Sequence, residues 1–161
     1  MAEIAVFQLS EVAQILGTTK STVKNWTIGR PLKIEPSIRA AHGTGSSNLY
    51  SMGDLLLMAL ATQLNRDGFT TETIRKVLRA KEIQHKPELI GNGYSTLVIS
   101  SPGGHLEAKF LAAQHSIGIV TGVHEALRAG VTGRYVLDLK ALAQWIDQQI
   151  QKLKKANTEM K

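Results

Sequence analysis

The chain has 161 residues, enough for one sizeable domain or two small ones, and 43% of them are hydrophobic, so most of it is expected to fold. Cysteine is absent, which excludes disulfides, thiolate metal sites and thiol catalysis and fits a reducing cytoplasm, and no apolar run approaches the roughly 20 residues that span a bilayer. The net charge of +6 points to an anionic partner, and it is concentrated: between Thr19 and Tyr50 stand five basic residues, Lys20, Lys24, Arg30, Lys33 and Arg39, against one acid, Glu35.

The opening MAEIAVFQLSEV has no basic stretch ahead of an apolar one, so no signal peptide is expected. Ser10 can cap a helix to about Leu16, with Val12, Ala13 and Leu16 on one face. Gly17 supplies the stop, and Thr18 or Thr19 caps a second helix through Val23 to about Trp26. Helices this short do not hold themselves in water, so Ile15, Leu16, Val23 and Trp26 must share a core, as in a helix-turn-helix. Pro31 and Pro36 exclude a helix next, and His42 to Asn48 is a glycine-, serine- and threonine-rich tip. Leu32 to Ile34 and Asn48 to Tyr50 are expected to pair as the two arms of a ribbon.

Ser51 with Asp54 forms a capping-box pattern ahead of MGDLLLMALATQLNR, an all-round apolar run that predicts a buried helix ended by Asp67-Gly68. Thr70 or Thr71 caps a fourth helix, with Ile74, Val77 and Leu78 inward. Lys81 to Gly93 dissolves into Lys, Gln, His, Pro and Gly and reads as a linker or a domain boundary. Tyr94 to Ser100 is expected to be a strand, Leu106 to His115 a strand or a helix, Val123 to Ala129 a short helix stopped by Gly130, and Arg134 to Leu137 another strand. Asp138 caps a final helix to about Lys155, in which Leu139, Leu142, Ile146 and Leu153 keep heptad spacing with Gln149 at the missing seam position.

TTKSTVKNWTIGRPL, a glycine-rich wing ending NLYS, a helix and then GFTTETIRKVL together resemble the MerR-type winged helix-turn-helix over about residues 7 to 80. Thr22-Val23-Lys24-Asn25-Trp26 stands at the family's Thr-Leu-Arg-Tyr-Tyr-like run on the second helix. Asn48-Leu49-Tyr50-Ser51 stands at its Arg-x-Tyr-Ser wing end, and Gly68-Phe69-Thr70 at its Gly-Phe-Ser-like start of the fourth helix. Lys24 therefore replaces an Arg, Asn25 a Tyr and Asn48 the wing Arg. The resemblance implies double-stranded DNA as partner, and a cytoplasmic, nucleoid-associated protein of bacterial or phage origin.

On that reading Thr19, Lys20, Ser21, Thr22, Lys24 and Asn25 enter a major groove, where hydroxyls and amides meet base edges and ammonium groups meet phosphates. Arg30, Lys33, Arg39, His42, Asn48 and Tyr50 belong to the wing and its base, against flanking backbone. Trp26 and Tyr50 also read as core aromatics that close the domain. His105, His115 and His124, with Glu107 and Glu125, are the only hint of a metal or acid–base site, and no cysteine joins the His105-Leu106-Glu107 pattern to make a zinc deaminase centre. No cofactor, no metal and no catalysis are expected.

The expected architecture is α+β: a DNA-binding domain over residues 1–81, then a small α+β region over 94–161 that ends in a long helix and serves for dimerisation, effector sensing or partner contact. A homodimer through that helix is expected, because proteins that read DNA with one such module usually double it. Two other readings stand beside the regulator: a phage-type architectural subunit resembling an excisionase or small terminase, and an enzyme whose catalytic part is the C-terminal half.

Overall fold

The computed structural model describes residues 5–28, 32–39, 47–101, 105–112 and 135–159. Arg30, His42, His115, His124 and Glu125, together with the helix expected at 123–129, lie outside the described residues. The chain divides into two compact units, one made of residues 1–75 and 146–161 and the other of residues 76–145. The fold is α+β in both sequence order and content. The last helix contributes a segment to each unit.

The first unit begins with strand β1 (Val6–Gln8), which pairs antiparallel with β2 (Leu49–Ser51), Phe7 standing opposite Tyr50. Both rings face the core, at 6% and 0% exposure. This corrects the expected ribbon: the partner of Leu49 to Ser51 is the N-terminal segment, and Leu32 to Ile34 is not a strand. Leu32 and Ile34 are instead plugged into the core, and the Ile34 N–H donates to the Trp26 carbonyl at 2.9 Å. The physical reason lies at Lys33, whose φ of 51° breaks the alternation of a strand and lets both neighbours point inward.

β1 runs straight into α1 (Leu9–Ile15) and β2 into α3 (Met52–Arg66). Gln8, not Ser10, caps α1, and the Glu11 carboxylate accepts the Gln8 N–H at 2.8 Å. At α3 the expected box is present: Ser51 Oγ accepts the Asp54 N–H at 3.2 Å and Asp54 Oδ2 accepts the Ser51 N–H at 2.8 Å. Leu55, Leu56, Met58, Leu60 and Leu64 of α3 are buried, as are Ala59 and Ala61. Gly68, at φ 86°, ends this run, and Thr70 Oγ1 accepts the Thr73 N–H to start α4 (Thr71–Leu78).

In the second unit the stretch expected to be a linker or domain boundary has structure of its own. Residues after α4 form a short helix α5 (Lys81–Gln84) and a 3-10 turn (Pro87–Leu89), and the fully buried Ile83 and Ile90 anchor them. Two apolar residues seven apart are too sparse to show a period among Lys, Gln, His and Pro. A sheet follows in the order β4-β3-β5, all antiparallel, from β3 (Tyr94–Ser100), β4 (Glu107–Ala112) and β5 (Tyr135–Asp138). Central β3 is buried from Ser95 to Ser100 on both faces. Asp138 Oδ1 accepts the Ala141 N–H at 2.9 Å and starts α6 (Leu139–Glu159).

Candidate nucleic-acid interface

Helix α2 (Lys20–Ile28) follows α1 across Gly17, which sits at φ 61° with nothing near its missing Cβ. A residue without Cβ takes that left-handed turn at little cost. Thr19 Oγ1 accepts the Thr22 N–H at 3.1 Å, so Thr19 is the cap and its hydroxyl also lies 2.9 Å from that of Thr22. Val23 is fully buried and Thr27 nearly so, while Lys20, Ser21, Lys24 and Asn25 are all exposed. At about 100° per residue these four side chains fall within one stripe less than half the helix circumference. Val12 and Ile15 of α1 and Leu16 at its C-terminal cap are buried in the same unit and hold the stripe outward.

The lower end of α2 is tied to the wing. The Tyr50 hydroxyl lies 3.1 Å from Thr27 Oγ1 and accepts from Asn48 Nδ2 at 3.2 Å, and Thr27 donates to the Val23 carbonyl. Tyr50 is 0% exposed, so of the expected contact residues it is a core residue and has no surface to offer a nucleic acid. Its reach to Thr27 explains this: a phenol long enough to cross the core finds its partner inside. Asn48 is half-buried and points its amide at that phenol. Trp26 is partly exposed, so it contributes less to the core than expected.

In the wing, Arg39 and Leu49 exchange both backbone hydrogen bonds, at 3.2 and 2.8 Å, which closes the two arms into a stalk. Arg39 Nε donates to the Ser47 carbonyl at 3.4 Å, and its side chain is exposed. Lys33 Nζ lies 3.4 Å from Glu35 Oε1, both side chains well exposed, so this pair is worth little to stability. Ser37, which no sequence pattern marks as functional, donates its N–H to Asp54 Oδ2 at 2.9 Å. Its one signal is an isolated serine after Pro36, too common to single out. His105 and Glu107 are exposed, and among the described residues no three His, Cys, Asp or Glu side chains come together as for a metal ion. No helix among the described residues is long and apolar enough to cross a membrane.

Residues 7–81 match the family model for the MerR HTH family regulatory protein, a span that begins in β1 and takes in all of α1 to α4. Over 73 residues the chain is 33% identical to proteins named HTH-type transcriptional regulators from Mycobacterium bovis and from two strains of Mycobacterium tuberculosis. The aligned part is 45% of this chain and 32% of each relative, so the chain matches about a third of the length of these curated proteins. The N-terminal part of the chain thus carries a MerR-type helix-turn-helix.

Proposed function

We propose that the chain is a sequence-specific double-stranded DNA-binding protein, a transcriptional regulator that lays α2 in the major groove and its wing on the flanking backbone. The observation that supports this most is the two-sidedness of α2: Val23 and Thr27 are buried while Lys20, Ser21, Lys24 and Asn25 face outward together. An ordinary solvated helix face needs no such clamp, and here Gly17, the Thr19 cap and the Thr27–Tyr50 bond all fix its direction. Ser21 and Asn25 are the residues for base edges, and Lys20 and Lys24 for phosphates. Lys33 and Arg39, both exposed, offer positive charge on the wing, and Arg30 and His42, outside the described residues, are assigned to the same contact from the sequence. Names of the matched relatives agree with regulation of transcription, and such work belongs in the cytoplasm, at the nucleoid.

The proposal includes a homodimer. Leu139, Leu142, Ile146, Ile150 and Leu153 of α6 are all buried within the single chain, and the outer face is polar, with Gln144, Asp147, Gln148, Gln151 and Lys152 exposed. A seam through the apolar stripe therefore requires α6 to trade its partners in its own chain for the same partners in a second copy, a low-cost route to dimers. The residues of 76–145 would then serve this assembly, an effector or a partner protein.

Selection from a randomised duplex pool tests the reading. The wild-type chain should enrich one short motif. Asn25→Ala and Ser21→Ala should each relax preference at particular positions, by roughly 1–3 kcal/mol for each base edge no longer read. A pool left unenriched by the wild-type chain would refute sequence-specific binding.

A further inference from the structure

Between Glu35 and Arg39 the first arm of the wing buries no side chain: Pro36 is half-exposed and Ser37, Ile38 and Arg39 are exposed, Ile38 by 41%. Apolar packing therefore does not hold this arm. Below the Arg39–Leu49 backbone pair, a single carboxylate does. Asp54, only 4% exposed at the start of α3, accepts through Oδ2 the Ser51 N–H at 2.8 Å, the Ser37 N–H at 2.9 Å and the Ser37 hydroxyl at 2.8 Å. The Ser37 hydroxyl also lies 2.7 Å from Ser51 Oγ. The bond from Ser51 belongs to the helix cap, but the two from Ser37 come from seventeen residues away and do nothing for the helix. They reach the arm two residues below Arg39, where the stalk closes on Leu49.

We propose that Asp54 and Ser37 are positioning residues that set the direction of the wing against α2 and α3. This rests on the DNA-binding reading above. Hydrogen bonds to an ionised acceptor are roughly twice as strong as neutral ones and strongly directional, so one buried carboxylate can replace the apolar contacts the arm lacks. The arrangement leaves Lys33 and Arg39 outward and keeps the Asp54 carboxylate inside, away from a phosphate surface, while the exposed Glu35 is paired with Lys33. The cap and the wing share one oxygen, so the start of α3 and the angle of the wing are set together.

Ser37→Ala and Ser37→Thr in the full chain decide the matter, by amide hydrogen exchange at Arg39 and Leu49 and by affinity for the selected duplex. Ser37→Ala should speed exchange at both amides by about tenfold or more, the scale of one missing bond to a charged acceptor, and weaken duplex binding by a similar factor. Its melting temperature should stay close to that of the wild-type chain, and Ser37→Thr should restore both readings. Unchanged exchange would overturn the tether, and faster exchange with unchanged affinity would overturn its role in binding. A wild-type chain that binds no duplex would instead defeat the functional reading, and the exchange measurement would still judge the tether.

Discussion

Lys33 stands at φ 51°, a left-handed backbone that suits glycine and costs another residue about 1 kcal/mol. The fold requires the bend, because Leu32 and Ile34 must both turn inward, but it does not require a lysine. Lys33→Gly should therefore stabilise the chain by up to about 1 kcal/mol in thermal denaturation. The same change should weaken binding alike to all duplexes and lower the salt slope by about 1, the signature of one phosphate left unneutralised. A variant that gains stability and keeps its full affinity would remove Lys33 from the interface. Tyr50 makes the opposite case. Tyr50→Phe removes the bond to Thr27 Oγ1 and the one from Asn48 Nδ2, at a cost of about 0.5–1.5 kcal/mol for each in urea unfolding. If Tyr50 touched only nucleic acid, the stability of the chain would not change.

Helices α1 to α4 and α6 were legible because their signals are local, whereas α5 was not. Thr19, Ser51, Asp54, Thr70 and Asp138 each mark a boundary by a side-chain bond to nearby backbone, and Gly17 and Gly68 by a left-handed backbone. Strand β1 was not legible, since three residues carry no period, and its pairing with Leu49 to Ser51 is a long-range fact. The exposed stripe on α2 could be read from spacing alone. The placement of Tyr50 inside and the tie from Ser37 to Asp54 could not, because each joins residues far apart in the chain. Glycines make a further test of the elements. Gly17 and Gly68 have open space where a Cβ would go, so alanine there should cost only the left-handed backbone, about 1–2 kcal/mol. Gly91, at φ 81°, would place a Cβ against Ala143 Cβ and 2.9 Å from the Leu139 carbonyl oxygen. Gly91→Ala should therefore destabilise clearly more than either, by about 2–5 kcal/mol, as overpacking adds to backbone strain. Equal costs at all three sites would contradict the close approach of the turn to α6.

Across the whole chain, α6 is the element whose role the sequence described only in part. Its heptad stripe was visible, but a stripe reads the same whether it meets a second copy or its own chain. In this structure Ile146 is 0% exposed without any partner subunit. Ile146→Asp should accordingly cost several kcal/mol, since a carboxylate enters an apolar site with nothing to pair it. If the stripe serves its own chain alone, sedimentation of the wild-type protein shows a monomer and the variant loses circular dichroism on unfolding. If helices are exchanged between copies, the wild-type protein sediments as a dimer, and the variant becomes lighter as it loses structure. A dimeric variant with native circular dichroism would exclude the stripe from both roles.

The central claim is that α2 carries the DNA contacts, and Lys24 tests it most directly. Lys24 is exposed on the stripe and its neighbours on that face are Lys20, Ser21 and Asn25, so removing it should leave the fold intact. Titrations of the wild-type chain and Lys24→Ala against a selected and a random duplex, at several salt concentrations, read the interaction as a slope. Lys24→Ala should bind both duplexes more weakly by a similar factor, with the salt dependence reduced by about 1 for each phosphate that Lys24 neutralises. Affinity and slope both unchanged by Lys24→Ala would contradict the docking of α2 in the groove.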